Sequence, residues 1–169
     1  MTTTPRLSQV DAYVWRGARP QPGEYEYIKQ KFSTVISLEG EAEDARESDE
    51  LAPVPVVSLP IGFWDIYWRG ISQRDLGYIL QSISRAMGPV SASHVPNGLV
   101  GKNVLVHCEH GEDRTGLVIA AWRVHMQEMS PGQAWAEALA FGYREAINFG
   151  LNKTWHEYVR GQGARSDSL

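Results

Sequence analysis

The stretch Val104-Leu105-Val106-His107-Cys108-Glu109-His110-Gly111-Glu112-Asp113-Arg114-Thr115-Gly116 decides how the chain is read. Its apolar opening predicts a buried strand that delivers a cysteine; five residues then turn, and Arg114 opens a helix. Successive backbone N–H groups of such a turn point inward and make an anion nest, to which the helix dipole adds positive potential. Gly111 gives the turn freedom to curl. A thiol at this place is held as a thiolate. Arg114 presents a planar fork that fits two phosphoryl oxygens better than a lysine would. A nucleophile, an anion cradle and a bidentate clamp are together the parts needed for phosphoryl transfer to sulfur.

Outward from this segment, strands alternate with helices. Strands are predicted at Tyr13-Val14-Trp15, Thr34 to Leu38, Val54 to Leu59 and Asn103 to Val106. Helices are predicted over Glu24 to Lys31, Ser72 to Met87, Gly116 to Glu128 and Leu151 to Val159, with a further one starting at Ser130-Pro131. Ser72 with Asp75 reads as a capping box, and Ser130-Pro131 as an N-cap followed by proline. Trp15, Trp122, Trp135, Trp155 and Leu139 are assigned to the core. Gly40 to Glu50 is acidic and reads as a solvated loop or frayed helix. Gly88 to Gly101 reads as a polar loop. The fold class expected is α/β, a single domain over residues 1–160 with a mainly parallel sheet flanked by helices. Residues 161–169 read as a disordered tail. In such sheets ligands bind beyond the carboxyl ends of the strands, where this sequence places Cys108.

Composition bounds the function. A chain of 169 residues with 43% hydrophobic and 21% charged residues has enough apolar surface for a real core. A net charge of -4 without a Lys/Arg cluster argues against nucleic acid or an anionic membrane as the main partner. The single cysteine excludes an internal disulfide and suits a reducing compartment. The amino-terminal residues lack the apolar run of a signal peptide, and no run reaches the roughly 20 residues of a membrane span. A cytoplasmic protein is expected.

His107-Cys108, five residues, then Arg114-Thr115-Gly116 resembles the signature loop of the cysteine-dependent protein tyrosine and dual-specificity phosphatases. Trp15-Arg16-Gly17-Ala18-Arg19-Pro20 and Val35-Ile36-Ser37-Leu38 resemble the opening of the small bacterial and fungal dual-specificity-like members. The resemblance spans roughly Tyr13 to Tyr158, and its loop is the specific part. It implies that Cys108 attacks phosphorus, forming a phosphocysteine that water then hydrolyses. The backbone from Glu109 through His110, Gly111, Glu112 and Asp113 to Arg114 would bind the phosphoryl group. Thr115 would stabilise the departing thiolate, and His107 would organise the loop. It also implies an aspartate acting as general acid. Asp65, in Leu59-Pro60-Ile61-Gly62-Phe63-Trp64-Asp65, stands where that residue belongs, without the strict Trp-Pro-Asp triplet. Asp113, inside the loop, is its rival, and Asp75 a third candidate already explained by capping.

The substrate expected is a phosphorylated protein or a small phosphomonoester, with no cofactor. Alternatives are a polynucleotide 5′-triphosphatase, a phosphoinositide phosphatase and a phosphoprotein-binding pseudophosphatase. The first lacks a basic channel. The second expects lysines where Glu109, Glu112 and Asp113 stand, and the third has no need of the thiolate. His107, Cys108 and His110 lie too close in sequence for the spaced ligands of a structural metal, so no metal is expected. Arg16 reads as a structural ion-pair residue. Phe63, Trp64, Tyr67 and Trp68 either cap the sheet or, if exposed, wall a site suited to an aromatic leaving group.

Overall fold

The computed structural model describes residues 6–88 and 103–166. Its strands are β1 (Leu7–Gln9), β2 (Val14–Ala18), β3 (Thr34–Ser37), β4 (Val56–Ser58) and β5 (Val104–Cys108). They form one sheet in the order β1-β2-β5-β3-β4. The pairs β2–β5, β3–β5 and β3–β4 are parallel, and β1 adds an antiparallel edge. This is the mainly parallel α/β sheet that the alternation of elements implies. The helices are α1 (Tyr25–Lys31), α2 (Glu41–Leu51), α3 (Gln73–Met87), α4 (Asp113–Gln127), α5 (Pro131–Ala140) and α6 (Phe149–Ser166). The chain folds as two compact units, residues 1–60 with 81–111 and residues 61–80 with 112–169.

The first unit carries the sheet. All residues of β3 and β5 are buried, as expected for strands covered on both faces. Ile28 from α1, Phe32 just after it and Leu51 from α2 pack with Val35, Val54 and Leu105 in one apolar cluster. Each fully buried aliphatic side chain there contributes about 1.5–3 kcal/mol. Trp15 meets Phe32 edge-on at 6.0 Å between ring centroids, and the Lys31 ammonium sits 3.6 Å from the Trp15 centroid. That cation covers the tryptophan's outer face, so Trp15 is half-buried rather than fully in the core.

The acidic segment at Gly40 to Glu50 is neither a loop nor wholly solvated. It is α2, and it buries Asp44, Glu47 and Leu51. Carboxylates three residues apart share one helix face, so the face that buries Glu47 also buries Asp44.

In the second unit α4 packs on α5, and α6 holds the segment after β4. From Thr115 to Trp122 every residue of α4 is buried, so it is a core helix and not the one-sided helix its spacing suggests. The Ser130 hydroxyl accepts the Gln133 N–H in a capping box that starts α5. Trp135 stacks on Trp155 at 4.8 Å, but it is only half-buried, and Leu139 lies exposed. Helix α6 runs through Ser166, past the boundary expected at Gly161. A glycine lowers helix propensity by about 1 kcal/mol without forcing a stop, and Arg160 and Gln162 favour continuation. Residues 167–169 and most of the expected Gly88 to Gly101 loop lie outside the described residues. Among the described residues no helix is long and apolar enough to cross a membrane.

Candidate active site

Strand β5 ends at Cys108, whose thiol is free and almost wholly buried. Parallel pairing sets Arg16 beside Val106, Gly17 beside His107 and Ala18 beside Cys108. Glu109 and His110 then emerge to solvent, and Gly111 turns the chain with φ +73°. A Cβ on Gly111 would lie 2.5 Å from the carbonyl carbon and oxygen of Gly17. Backbone therefore meets backbone here, and only glycine fits. The buried Arg16 guanidinium donates to the Gly111 carbonyl at 2.9 Å, and the Arg19 N–H donates to the Glu109 carbonyl at 3.3 Å. The first half of the loop is thus tied to the end of β2. Arg16 serves this purpose through a backbone carbonyl.

Under the same strand end lies a charged cluster. His107 is completely buried, with Nε2 3.0 Å from Glu47 Oε1 and Nδ1 3.7 Å from Glu39 Oε2. Among the described residues, neither imidazole nitrogen and neither Glu47 oxygen has a partner in hydrogen-bond geometry. Glu39 is differently placed: the Arg19 guanidinium forks onto both its oxygens, with Nε to Oε2 at 2.8 Å. That bond is the main reason the Arg19 proton is held even more tightly than usual. One ligating atom from each of Glu39, Glu47 and His107 falls within 4.8 Å of the others.

The second half of the loop opens α4 in the other unit, with Asp113, Arg114 and Thr115 in the first turn. Asp113 is buried and fully engaged. Its Oδ1 accepts the Arg144 backbone N–H at 2.9 Å and the Asn148 amide at 2.5 Å, and its Oδ2 accepts two donors of the Arg144 guanidinium. This network clips the start of α4 to the segment between α5 and α6. The nearby Asp113 charge, after burial, also helps push the Tyr143 phenol well above its ordinary range. Arg114 is half-buried. Thr115 is fully buried, and its hydroxyl has no hydrogen-bond partner among the described residues.

Asp65 begins a π-helical turn, Asp65–Arg69, that packs against α6. Its side chain keeps 27% of its exposure; Oδ2 accepts the Gly62 N–H at 3.1 Å and Oδ1 lies 3.4 Å from Arg69. The turn is anchored behind: Thr154 Oγ1 accepts the Ile71 N–H at 2.9 Å, and a Cβ on Gly150 would come 2.0 Å from the Asp65 carbonyl. Phe63, Trp64 and Trp68 project from this segment at 63, 60 and 64% exposure. Of the two readings open for the four aromatics, exposure is found for these three, whereas Tyr67 is half-buried. Asp75 belongs to the cap of α3: Ser72 Oγ accepts the Asp75 N–H at 3.0 Å and donates to Asp75 Oδ2 at 2.7 Å.

Within the first unit the structure groups His107, Cys108, Glu109, His110 and Gly111; within the second, Glu112, Asp113, Arg114 and Thr115, with Asp65 on a separate segment. Sequence reasoning missed Glu39, Glu47, Arg144 and Asn148. For Glu47 the one available signal was its i, i+3 spacing from Asp44.

No protein-family model matches the chain, and no curated protein matches it in sequence. Solved structures do match. Tk-PTP in its active form is 23% identical with a TM-score of 0.73, over 94% of this chain and 99% of that one. TpbA of P. aeruginosa is 24% identical with a TM-score of 0.66, over 93% and 84%, and has also been solved with pTyr. Human DUSP28 is 14% identical with a TM-score of 0.63, over 95% and 97%. What these likenesses share is architecture: the chain has the fold of protein tyrosine phosphatases.

Proposed function

We propose that the protein hydrolyses phosphomonoesters through a phosphocysteine intermediate, with phosphotyrosine-like aryl phosphates as its preferred substrates. The observation that carries this reading is a buried, lone cysteine closing the central strand, followed five residues later by an arginine in the first turn of a buried helix. The fold shared with phosphatases supports it, as does the pTyr complex of TpbA.

In the first step the Cys108 thiolate attacks phosphorus while the bond to the leaving oxygen breaks. Arg114 and the backbone N–H groups of the loop hold the three phosphoryl oxygens and the charge that develops on them. Asp65 gives its proton to the leaving oxygen. In the second step water attacks phosphorus, Asp65 takes a proton from that water, and the P–S bond breaks. The departing thiolate receives a hydrogen bond from the Thr115 hydroxyl, which has no other partner among the described residues.

Asp65 is preferred over Asp113 on the ground of occupancy. Every lone-pair direction of Asp113 that faces protein already has a donor, which leaves no proton to give. Asp65 is partly exposed and holds one backbone N–H and one loose ion pair. Asp65→Asn should therefore lower kcat by about 10²-fold and remove the alkaline limb of its pH profile. Asp113→Asn should retain that limb and instead lower the melting temperature by a few degrees. The assignment fails if only Asp113→Asn removes the limb.

The exposed Phe63, Trp64 and Trp68 supply the apolar wall for an aromatic leaving group. Trp64→Ala with Trp68→Ala should raise KM for an aryl phosphate by about 3–10-fold and leave KM for an alkyl phosphate nearly unchanged. Equal effects on both substrates would remove the wall from the recognition scheme. Glu109, exposed at the loop, disfavours ligands carrying several phosphates, and a single phosphomonoester meets less repulsion.

A further inference from the structure

No residue of the π-helical turn Asp65–Arg69 is buried, so apolar burial does little to fix it. What it has is a close approach of bare backbone. The turn closes through the Gly70 N–H, which donates to the Asp65 carbonyl at 3.0 Å, one residue later than an α-turn would. Gly150, the second residue of α6, lies against this closure. A Cβ there would be driven into the Asp65 carbonyl oxygen. It would also come within 2.7 Å of the Gly70 nitrogen and 3.0 Å of the Ile66 carbonyl oxygen. All three are backbone atoms, which cannot swing aside as the end of a long side chain can. The fit is mutual. Gly70 has φ +73°, and a Cβ on it would lie 2.5 Å from the Gly150 carbonyl oxygen and 2.6 Å from Thr154 Oγ1. One turn further along α6, Thr154 Oγ1 accepts the Ile71 N–H at 2.9 Å, and Gln73 Nε2 donates to the Thr154 carbonyl at 3.0 Å.

The start of α6 also holds the second half of the phosphate loop. Asn148, two residues before Gly150, donates to Asp113 beside Arg114. We propose that Gly150 is a positioning residue: the missing side chain lets the Asp65 segment seat on α6, and so sets where the Asp65 carboxyl stands relative to Arg114. The proposal rests on the reading of Asp65 as general acid. The carboxyl follows its backbone, because Oδ2 is tied to the Gly62 N–H of the same segment at 3.1 Å. A methyl group at Gly150 has to lift that segment by roughly 1 Å, and a misplacement of this size costs about 10²-fold in rate.

Loss of an acid has a signature that loss of packing lacks. A proton on the leaving oxygen matters most for a weakly acidic phenol, of pKa about 10, and little for a strongly acidic one. The experiment compares kcat/KM for phenyl phosphate and dinitrophenyl phosphate, since that quantity covers the step in which the leaving bond breaks. Gly150→Ala should lose about 10²-fold on phenyl phosphate and no more than about threefold on dinitrophenyl phosphate. Asp65→Asn should show the same split. In that background Gly150→Ala should add less than about threefold on phenyl phosphate, because no acid is left to misplace. Gly161→Ala is the control, since a Cβ at Gly161 of the same helix meets nothing within 4 Å. It should change neither substrate.

Equal losses on the two phosphates in Gly150→Ala, or no loss on either, overturn the proposal. So do additive losses in the double variant and the same split in Gly161→Ala. Amide hydrogen exchange reads the contact without turnover. Protection of the Gly70 N–H should fall in Gly150→Ala and hold in Gly161→Ala, and unchanged protection in the former is equally fatal. Should Gly150→Ala not fold, by circular dichroism, Thr154→Val must show the split at about tenfold through the freed Ile71 N–H, and its absence there overturns the proposal. A split in Asp65→Asn without one in Gly150→Ala sinks the role of Gly150 alone. No split in Asp65→Asn sinks the acid reading itself, and the part of Gly150 in the reaction falls with it.

Discussion

Cys108→Ser should reduce phosphate release from a small aryl phosphate by about 10⁴-fold or more in kcat. A serine hydroxyl at this place stays protonated at neutral pH, and nothing in its own unit is arranged to activate it. His107 is completely buried, with its ring nitrogens directed at Glu47 and Glu39, 3.0 and 3.7 Å away. The loop itself should survive the exchange, because Gly111 is held by Gly17 and Arg16 and not by the sulfur. The variant should thus still bind phosphate or an aryl phosphate with an affinity near that of the wild type. Steady-state release measured beside equilibrium binding separates the two effects. Residual turnover above about one per cent of wild type would mean that sulfur is not the nucleophile.

The next largest effect is expected of Arg114→Lys, a loss of about 10³-fold in kcat/KM. Lysine keeps the positive charge and a similar length. It lacks the planar pair of N–H donors that grips two oxygens at once and follows them as phosphorus moves toward sulfur. Most of the loss should fall on kcat, because ground-state attraction for a dianion survives as simple charge attraction. Inhibition by inorganic phosphate should accordingly weaken by only about tenfold. An Arg114→Lys protein within tenfold of wild type in kcat/KM would show that a point charge is sufficient there and would remove the clamp from the mechanism.

Much of the sheet was legible because its strands carry their own signal. Thr34 to Ser37 and Val104 to Cys108 are apolar or β-branched on successive positions, a pattern that fits burial on both faces. The helix caps at Ser72 and Ser130 were legible for the same local reason: hydroxyl and acceptor sit three residues apart in sequence and meet in the first turn. Strand β1 was not legible, since three residues on an edge carry no period. Helix α2 was read as solvent-facing because acidic residues are mostly exposed. Its buried Glu47 faces a histidine 60 positions later, and no local window contains both. Asp113 was weighed as an acid for want of Arg144 and Asn148, which lie beyond a whole intervening helix. The cysteine and arginine of the candidate site were legible through their spacing. The groups that hold them in place are long-range and were not.

The contact between Gly17 and Gly111 has a kinetic consequence. Arg16 and Gly111 are 95 positions apart, and the turn after Cys108 owes its shape to that distant partner. Contacts of such sequence separation form late, since the intervening chain must first give up its freedom. A refolding chain should acquire helical circular dichroism before its thiol becomes unusually reactive. Regain of rapid alkylation should coincide with the slow assembly of β2 against β5. The reactive centre would then emerge only in a chain whose sheet is complete, and partly folded forms would hold a thiol of ordinary reactivity.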